Sequence, residues 1–211
     1  MGVRTEGLEL LDLADWKRTV SELYAAVRSD SDPAAACRRW RAARDRLFAE
    51  HPQSPLTPDA RTSFDGVPYF DYDPGMRVLA SVEPASPQRL EIPTSTGGSV
   101  AFTRFGVARF DVGGDPASLE VFWLEGYGGG VFVSFRDATS GRGSYGACRY
   151  LLDTVKGADL GMAEGRLVLD FNFAYNPSCA YDPRWTCPLA PPANRLESAV
   201  RAGERAPIRH A

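Results

Sequence analysis

The chain has 211 residues, of which 44% are hydrophobic and 24% charged, and its formal net charge is −3. This composition excludes an intrinsically disordered chain, and the length excludes a small fold that depends on disulfides. Because 27 acidic residues outnumber 24 basic ones, a generic nucleic-acid binder is also excluded, and no nucleic-acid partner is expected.

The first fifty residues carry the pattern of two helices. Residues 8–29 repeat apolar side chains at intervals of three and four, which predicts an amphipathic helix. Asp32 and Pro33 are typical of an N-cap and a first helical turn, and they predict a second helix over 33–50. Arginines line one side of this second helix. We interpret them as a solvated face with balanced charge, with an anion-binding edge as the alternative.

After residue 60 the apolar period changes from 3.6 to 2, and Gly- and Pro-rich turns separate short segments. This pattern predicts a mainly β (α+β) fold, an antiparallel β-barrel or sandwich of about eight to nine strands. Residues 1–58 are then an N-terminal helical hairpin that packs on the β domain 59–211, both within one folding unit. The predicted strands cover 76–83, 88–93, 99–105, 107–112, 118–125, 130–136, 148–152, 166–173 and 198–202.

The segment 166–173 combines an apolar face with a polar one. Its odd positions are all apolar and predict a core-facing side, whereas Asp170 and Asn172 share the opposite side. If that side faces solvent, the two residues have no special role. If it lines the interior of a barrel, a carboxylate and an amide are held in a low-dielectric cavity, where the pKa of the carboxylate can shift.

The residues that follow form a stiff, aromatic-rich loop. Tyr175, Tyr181 and Trp185 alternate with Cys179 and Cys187 between several prolines. This composition differs from that of a flexible linker and predicts an ordered loop of the kind that carries binding or catalytic groups.

The two loop cysteines, Cys179 and Cys187, permit four interpretations. The two residues could be buried structural thiols, could form a disulfide, or could bind a metal together. In the fourth interpretation one of them is a reactive thiol whose pKa is lowered by Arg149 or Arg184. Their spacing is longer than that of a chelating zinc pair, and no His lies nearby, so no metal site is predicted.

Several classes of protein are excluded by what the sequence lacks. With only two His residues, a Ser–His–Asp triad and a His-rich metal site are not expected. No secretory signal and no run of 18 apolar residues is present, so we expect a cytoplasmic protein with reduced thiols and no membrane partner. Cofactor identity and oligomeric state stay open.

Four segments resemble a known family. They are WRAARDRLFAEHPQSPL, FDGVPYFDYDPGMRV, SYGACRYLLDTVKGADLG and LVLDFNFAYNPSCAYDPRWTCPLAPPANRLESAVRAGE. Over residues 35–205 the chain resembles the bacterial domain-of-unknown-function family 1684, which implies no established activity. Cys148 departs from the small residue usual there, so we assign that thiol no role. The resemblance maps the family motif onto Arg149, Asp170, Asn172, Tyr175, Asn176, Cys179, Tyr181, Cys187, Pro188, Asn194 and Glu204.

Two functional hypotheses follow, together with a structural alternative. In the first, the protein is a small-molecule enzyme of unknown reaction with a polar pocket near 166–196. In the second, it is a non-catalytic β-barrel that binds a small ligand or a protein through the aromatic loop. The alternative is a purely structural polar network. The candidate catalytic residues are Asp170, Cys179 and Tyr175, and the candidate substrate-binding residues are Arg149, Asn172, Asn176, Tyr181 and Trp185.

Overall fold

The computed structural model describes residues 6–207, with side chains from residue 8 onward. Helix α1 spans Glu6–Ser29 and helix α2 spans Pro33–Glu50, with a short helix α3 at Pro58–Thr62. Asp32 caps α2 by accepting a hydrogen bond of 3.0 Å from the backbone N–H of Ala35. Both predicted helices are therefore confirmed.

Seven strands form one antiparallel sheet in the order β5-β4-β3-β2-β1-β7-β6. The sheet is open and not a closed barrel, and it confirms the mainly antiparallel fold with an N-terminal helical pair. The strands are β1 (Arg77–Pro93), β2 (Ser99–Val112), β3 (Asp115–Leu124), β4 (Val131–Phe135), β5 (Arg149–Asp153), β6 (Met162–Ala163) and β7 (Arg166–Asp170).

The strand count falls below the predicted eight to nine because bulges resemble turns in sequence. Register shifts between Pro84 and Gln88 and between Arg104 and Gly106 bend β1 and β2 without ending them, so two predicted pairs of strands are single long strands. Residues 198–202, all within the described chain, run as an irregular segment instead of the predicted strand.

The predicted strand 166–173 also ends early. Strand β7 stops at Asp170, whose side chain caps a 3-10 turn over Phe171–Phe173. Because of this turn, successive side chains no longer alternate between a buried and an exposed face, and residues 168–174 are all buried. Asp170 and Asn172 are thus adjacent across a turn and do not lie side by side on one strand face.

The helical pair and the sheet share their largest hydrophobic core. Tyr24 and Trp40 from the helices pack in the same cluster as Leu151 from β5 and Phe173 from the 3-10 turn. A second cluster lies beyond the bulges and includes Phe102, Phe122, Phe132 and Tyr150. The C-terminal residues 186–207 form no further strand, and isolated bridges join Pro188 to Thr94, Arg195 to Arg136 and Glu204 to Tyr69.

Candidate functional site

Arg149 is 1% exposed and holds the C-terminal segment to the sheet. Its guanidinium donates to the carbonyls of Ala202 at 2.5 Å and Val200 at 2.9 Å, and to Asp137 Oδ1 at 3.2 Å. The second oxygen of Asp137 accepts from the backbone N–H of Val200 at 2.8 Å. Both terminal nitrogens of Arg149, the predicted substrate-binding arginine, are therefore engaged within the protein.

A second buried ion pair lies beside the first. Glu204 accepts a hydrogen bond from Arg44 on α2, from the backbone N–H of Asn176 at 2.7 Å and from the Tyr181 hydroxyl at 2.9 Å. Arg44 also stacks over the Tyr175 ring at 5.0 Å. We call these two ion pairs and their partners, centred on Arg149, Asp137, Glu204 and Arg44, the C-terminal network.

Arg44 corrects one sequence interpretation. It belongs to the arginine stripe of α2, which we predicted to be a solvated face, yet its side chain is only 11% exposed and is paired with Glu204. Its partner lies 160 positions away in the chain, so no local pattern marks it. The one available signal was Glu204 itself, which is among the residues that carry the family resemblance.

The chain crosses itself tightly where the C-terminal network meets the 3-10 turn of Phe171–Phe173. Gly203 has φ +74°, and a Cβ there would lie 2.4 Å from the carbonyl oxygen of Ala174 and 2.7 Å from that of Phe171. Since real Cβ atoms do not approach so closely, this crossing requires glycine. The crossing places the Glu204 carboxylate where it accepts the hydrogen bond from the Asn176 N–H.

Asp170 and Asn172 form a separate, satisfied pair. Asn172 Nδ2 donates to Asp170 Oδ1 at 2.9 Å and to the carbonyl of Asp73 at 2.7 Å, while its Oδ1 accepts from the Asp73 N–H at 2.9 Å. Burial raises the pKa of Asp170 to about 6, against the lowering effect of the Asn172 hydrogen bonds. Asp170 borders a cavity of about 150 Å³ together with Arg28 and Arg77.

Tyr175 and Asn176 line a different opening, between the helical pair and the loop after the 3-10 turn. This helix cleft has a cavity volume of about 60 Å³, and its walls include Tyr24, Arg44 and Asp153. The Tyr24 hydroxyl and Asn176 Oδ1 are buried and have no hydrogen-bond partner among the described residues. Two polar atoms of the cleft wall are thus left unsatisfied, which is unusual for buried groups.

A turn after β5 separates the helix cleft from a larger one. Gly157 in that turn has φ +85°, and a Cβ there would lie 2.7 Å from the backbone nitrogen of Ser21 on α1. This close approach brings α1 against the turn, and Asp153 and Lys156 lie at the edge of the turn. Lys156 Nζ lies 3.5 Å from Asp153 Oδ2, and the Asp153 side chain is 8% exposed.

The larger opening, the sheet cleft, has a cavity volume of about 210 Å³. Its walls are mainly apolar, with Val100, Phe102 and Phe132 from the sheet and Pro188 from the C-terminal segment. Asp153 and Lys156 line this cleft as well as the helix cleft. The ion pair therefore stands at the boundary of two cavities, a feature that sequence patterns did not reveal.

The loop cysteines lie close together as free thiols. The backbone N–H of Cys179 donates to Cys187 Sγ at 3.4 Å, and the Tyr145 hydroxyl lies 3.9 Å from Cys179 Sγ. The hydrogen bond from the Cys187 thiol lowers the pKa of Cys179 to about 6, in spite of desolvation. Neither Arg149 nor Arg184 is among the causes of this shift.

The predicted site residues thus fall into separate groups. Arg149 and Tyr181 belong to the C-terminal network, Asp170 and Asn172 to the pair near Asp73, and Cys179 to the thiol pair. Trp185 donates from its indole N–H to the carbonyl of Pro55 at 3.3 Å, which anchors the aromatic loop. Asn176 joins the C-terminal network and the helix cleft, and Tyr175 lines that cleft beside Arg44. The structure does not bring all eight residues into one pocket.

Within residues 6–207, no three His, Cys, Asp or Glu side chains converge as ligands of a metal ion would. In the same part of the chain, the structure contains no helix long and apolar enough to cross a membrane.

A family model and a solved structure both match this chain. The model for the family described as Protein of unknown function (DUF1684) matches residues 62–205. The solution NMR structure of an uncharacterized protein from gene locus rrnAC0354 of Haloarcula marismortui is 37% identical in sequence. That match covers 83% of this chain and 95% of that chain, with a TM-score of 0.59. Among curated proteins, no match is found. Since the family model spans most of the chain, the protein belongs to the DUF1684 family.

Proposed function

We propose that this protein binds a small, uncharged amphipathic molecule where the two clefts meet. The observation that carries the proposal is that one ion pair, Asp153 with Lys156, lines both the sheet cleft and the helix cleft. An apolar cavity that ends at a few convergent polar groups is the usual form of a small-molecule site. The apolar body of the ligand would occupy the sheet cleft, and its polar group would lie at the ion pair.

The charges around the clefts favour a neutral ligand. Asp153 is paired with Lys156, and Arg44 is paired with Glu204, so the two pairs leave no net charge. A charged ligand would lose part of its hydration without gaining an unpaired counter-ion, which disfavours its binding relative to a neutral ligand. A hydroxyl, amide or ester group can instead exchange hydrogen bonds with these polar groups at little cost.

The size of the sheet cleft limits the ligand. An apolar cavity of about 150 Å³ admits benzene. The sheet cleft, at about 210 Å³, has room for a body somewhat larger than one aromatic ring. Tyr24 and Asn176 line the helix cleft, and Tyr24 Oη and Asn176 Oδ1 have no hydrogen-bond partner among the described residues. We propose these atoms as a donor and an acceptor for a polar end that reaches past the ion pair into the helix cleft.

The test uses three probes of matched size: 2-phenylethanol, phenylacetate and 2-phenylethylammonium. Isothermal titration calorimetry on the full chain should give the neutral alcohol a dissociation constant below about 1 mM and at least about tenfold tighter binding than either ion. Tightest binding of either charged probe, or no binding of any probe, would contradict the proposed ligand class.

A cavity-filling variant locates the site. Val100 lines the sheet cleft, and Val100→Phe should abolish binding of 2-phenylethanol by occupying the space. Val107 lies on the same strand and lines neither cleft, so Val107→Phe is the matched control and should bind as the unmodified protein does. Equal binding by both variants would place the ligand elsewhere.

A further inference from the structure

Cys179 and Cys187 are held in place by the fold. Cys179 lies on the 3-10 turn Ser178–Ala180, and its backbone N–H points to Cys187 Sγ at 3.4 Å. Cys187 exchanges two hydrogen bonds with Ser95. Its N–H donates to Ser95 Oγ at 3.1 Å, and its carbonyl accepts from the Ser95 N–H at 2.9 Å. Two thiols on a proline-rich loop are thus fixed side by side.

The two thiols differ in access. Cys187 is 3% exposed, whereas Cys179 is partly exposed, so a reagent from solvent meets Cys179 first. The Tyr145 hydroxyl lies 3.9 Å from Cys179 Sγ, and its hydrogen bond to this sulfur favours the charged form of Cys179. An accessible thiolate next to a buried second thiol is typical of a redox-active pair.

The other thiols contrast with Cys179. Its pKa is lowered to about 6, chiefly by the hydrogen bond from Cys187, whereas that same hydrogen bond raises the pKa of Cys187. Burial raises the pKa of Cys37 to about 11 and that of Cys148 to about 12. At neutral pH the nucleophilic thiolate is therefore concentrated at Cys179.

We propose that Cys179 and Cys187 form a redox-active pair that reduces a hydroperoxide, with Cys179 as the attacking residue and Cys187 as the resolving residue.

In the first step, the Cys179 thiolate attacks the terminal peroxide oxygen. An S–O bond forms, the O–O bond breaks, and the leaving oxygen takes a proton to give water or an alcohol. Cys187 sulfur then attacks Cys179 sulfur. An S–S bond forms, the S–O bond breaks, and the released hydroxide leaves as water with the Cys187 proton. In sum, two thiols and one hydroperoxide give one disulfide, one alcohol or water, and one water.

The experiment treats the reduced full chain with hydrogen peroxide in the absence of air and identifies the products by mass spectrometry of peptides. The unmodified protein should lose two hydrogen atoms, consume one equivalent of peroxide and contain a Cys179–Cys187 disulfide. Cys187→Ser should instead accumulate sulfenic acid at Cys179, which dimedone captures. Cys179→Ser should consume peroxide at least about tenfold more slowly. Cys37→Ala, which removes a buried thiol outside the pair, should react as the unmodified protein does.

A measurement on the unmodified chain keeps the proposal testable if a variant fails to fold. Iodoacetamide alkylation of Cys179 should rise through a midpoint near pH 6, while the other three thiols react only when the chain is unfolded. The titratable groups that face the pair are Tyr145, Cys148 and Lys156. Alkylation of all four thiols with one midpoint near that of a free thiol, about 8.5, would overturn the proposal, and so would peroxide consumption by Cys179→Ser at the unmodified rate.

Discussion

The C-terminal network and the paired clefts are both polar regions of the interior, but they differ in how well their polar atoms are satisfied. In the network, Arg149 and Glu204 each bind several partners within the protein, and of the polar atoms of these two side chains Arg149 Nε alone lacks a hydrogen-bond partner among the described residues. At the clefts, Tyr24 Oη and Asn176 Oδ1 have no partner among the described residues, and cavities lie on both sides of Asp153. Buried polar groups that are fully bonded stabilise a fold, whereas those with unmet bonds beside a cavity can receive a ligand.

The largest expected effect of any substitution is in the network. Arg149→Met should lower the free energy of unfolding by about 5 kcal/mol, because it leaves Asp137 as an unpaired buried charge and frees three C-terminal carbonyls. Urea titration would measure the change. Arg109 forms an exposed pair with Glu83, so Arg109→Met is the control and should cost less than about 1 kcal/mol. Similar losses for both variants would show that the network is not the more stabilising region.

Glu204→Gln tests the second ion pair of the network. We expect a loss of about 4 kcal/mol in the free energy of unfolding, because Arg44 keeps a buried charge without its counter-ion. The loss should be smaller than that of Arg149→Met, since a glutamine oxygen can still accept from the Asn176 N–H. Unfolding in urea at pH 7 measures it, and a loss within about 1 kcal/mol would contradict a tightly coupled pair.

Asp170 should make stability depend on pH. Its pKa in the folded protein, about 6, is above the ordinary value of 3.8, so between these pH values the folded state binds more protons than the unfolded state. This contribution to stability, about 3 kcal/mol, is fully present below pH 3.8 and is lost as pH rises through about 6.

Asp170→Asn should reduce that slope while keeping an acceptor for Asn172, and the remaining slope belongs to groups such as Asp45, whose pKa burial also raises. Free energies of unfolding measured in urea at intervals from pH 4 to pH 7 would show it. Asp71 is exposed, so Asp71→Asn should retain the slope of the unmodified protein. A slope in Asp170→Asn as steep as that of the unmodified protein would mean that Asp170 does not carry the proton.

The helices and most of the sheet were predictable because their signals are local. Asp32 and Pro33 mark the start of α2 through capping chemistry that involves only the next few residues. The bulges near Pro84 and Gly106 were not separable from turns, since proline and glycine are typical of both and strand continuity depends on the neighbouring strand.

The site was less predictable, because its residues meet only in three dimensions. Arg149, Asp170 and Asn172 are polar residues in an apolar context, which correctly indicates burial but does not distinguish a network from a pocket. Asp153 ends an ordinary apolar strand, and Tyr24 occupies an ordinary helix position. Nothing in their local sequence marks them as cleft residues, because the cavities arise from packing between α1, the sheet and the C-terminal segment.

The smallest expected effect on stability falls at the clefts, and it separates the two regions most sharply. Tyr24→Phe removes a buried hydroxyl that has no partner among the described residues, so the free energy of unfolding should stay the same or rise by less than about 1 kcal/mol. Tyr69 also has a buried hydroxyl without a described partner, so Tyr69→Phe should change the free energy of unfolding in urea as little as Tyr24→Phe does. Tyr69 lines neither cleft, which makes it the matched control for binding.

The two variants should differ in binding. If the Tyr24 hydroxyl donates to the polar group of a ligand, Tyr24→Phe weakens the binding of 2-phenylethanol about fivefold, the value of one neutral hydrogen bond, while Tyr69→Phe leaves it unchanged. Calorimetric titration of both variants measures this difference. A marked loss of stability in Tyr24→Phe, with unchanged binding, would place Tyr24 in a satisfied structural network. The contrast between the two regions would then not hold at this residue.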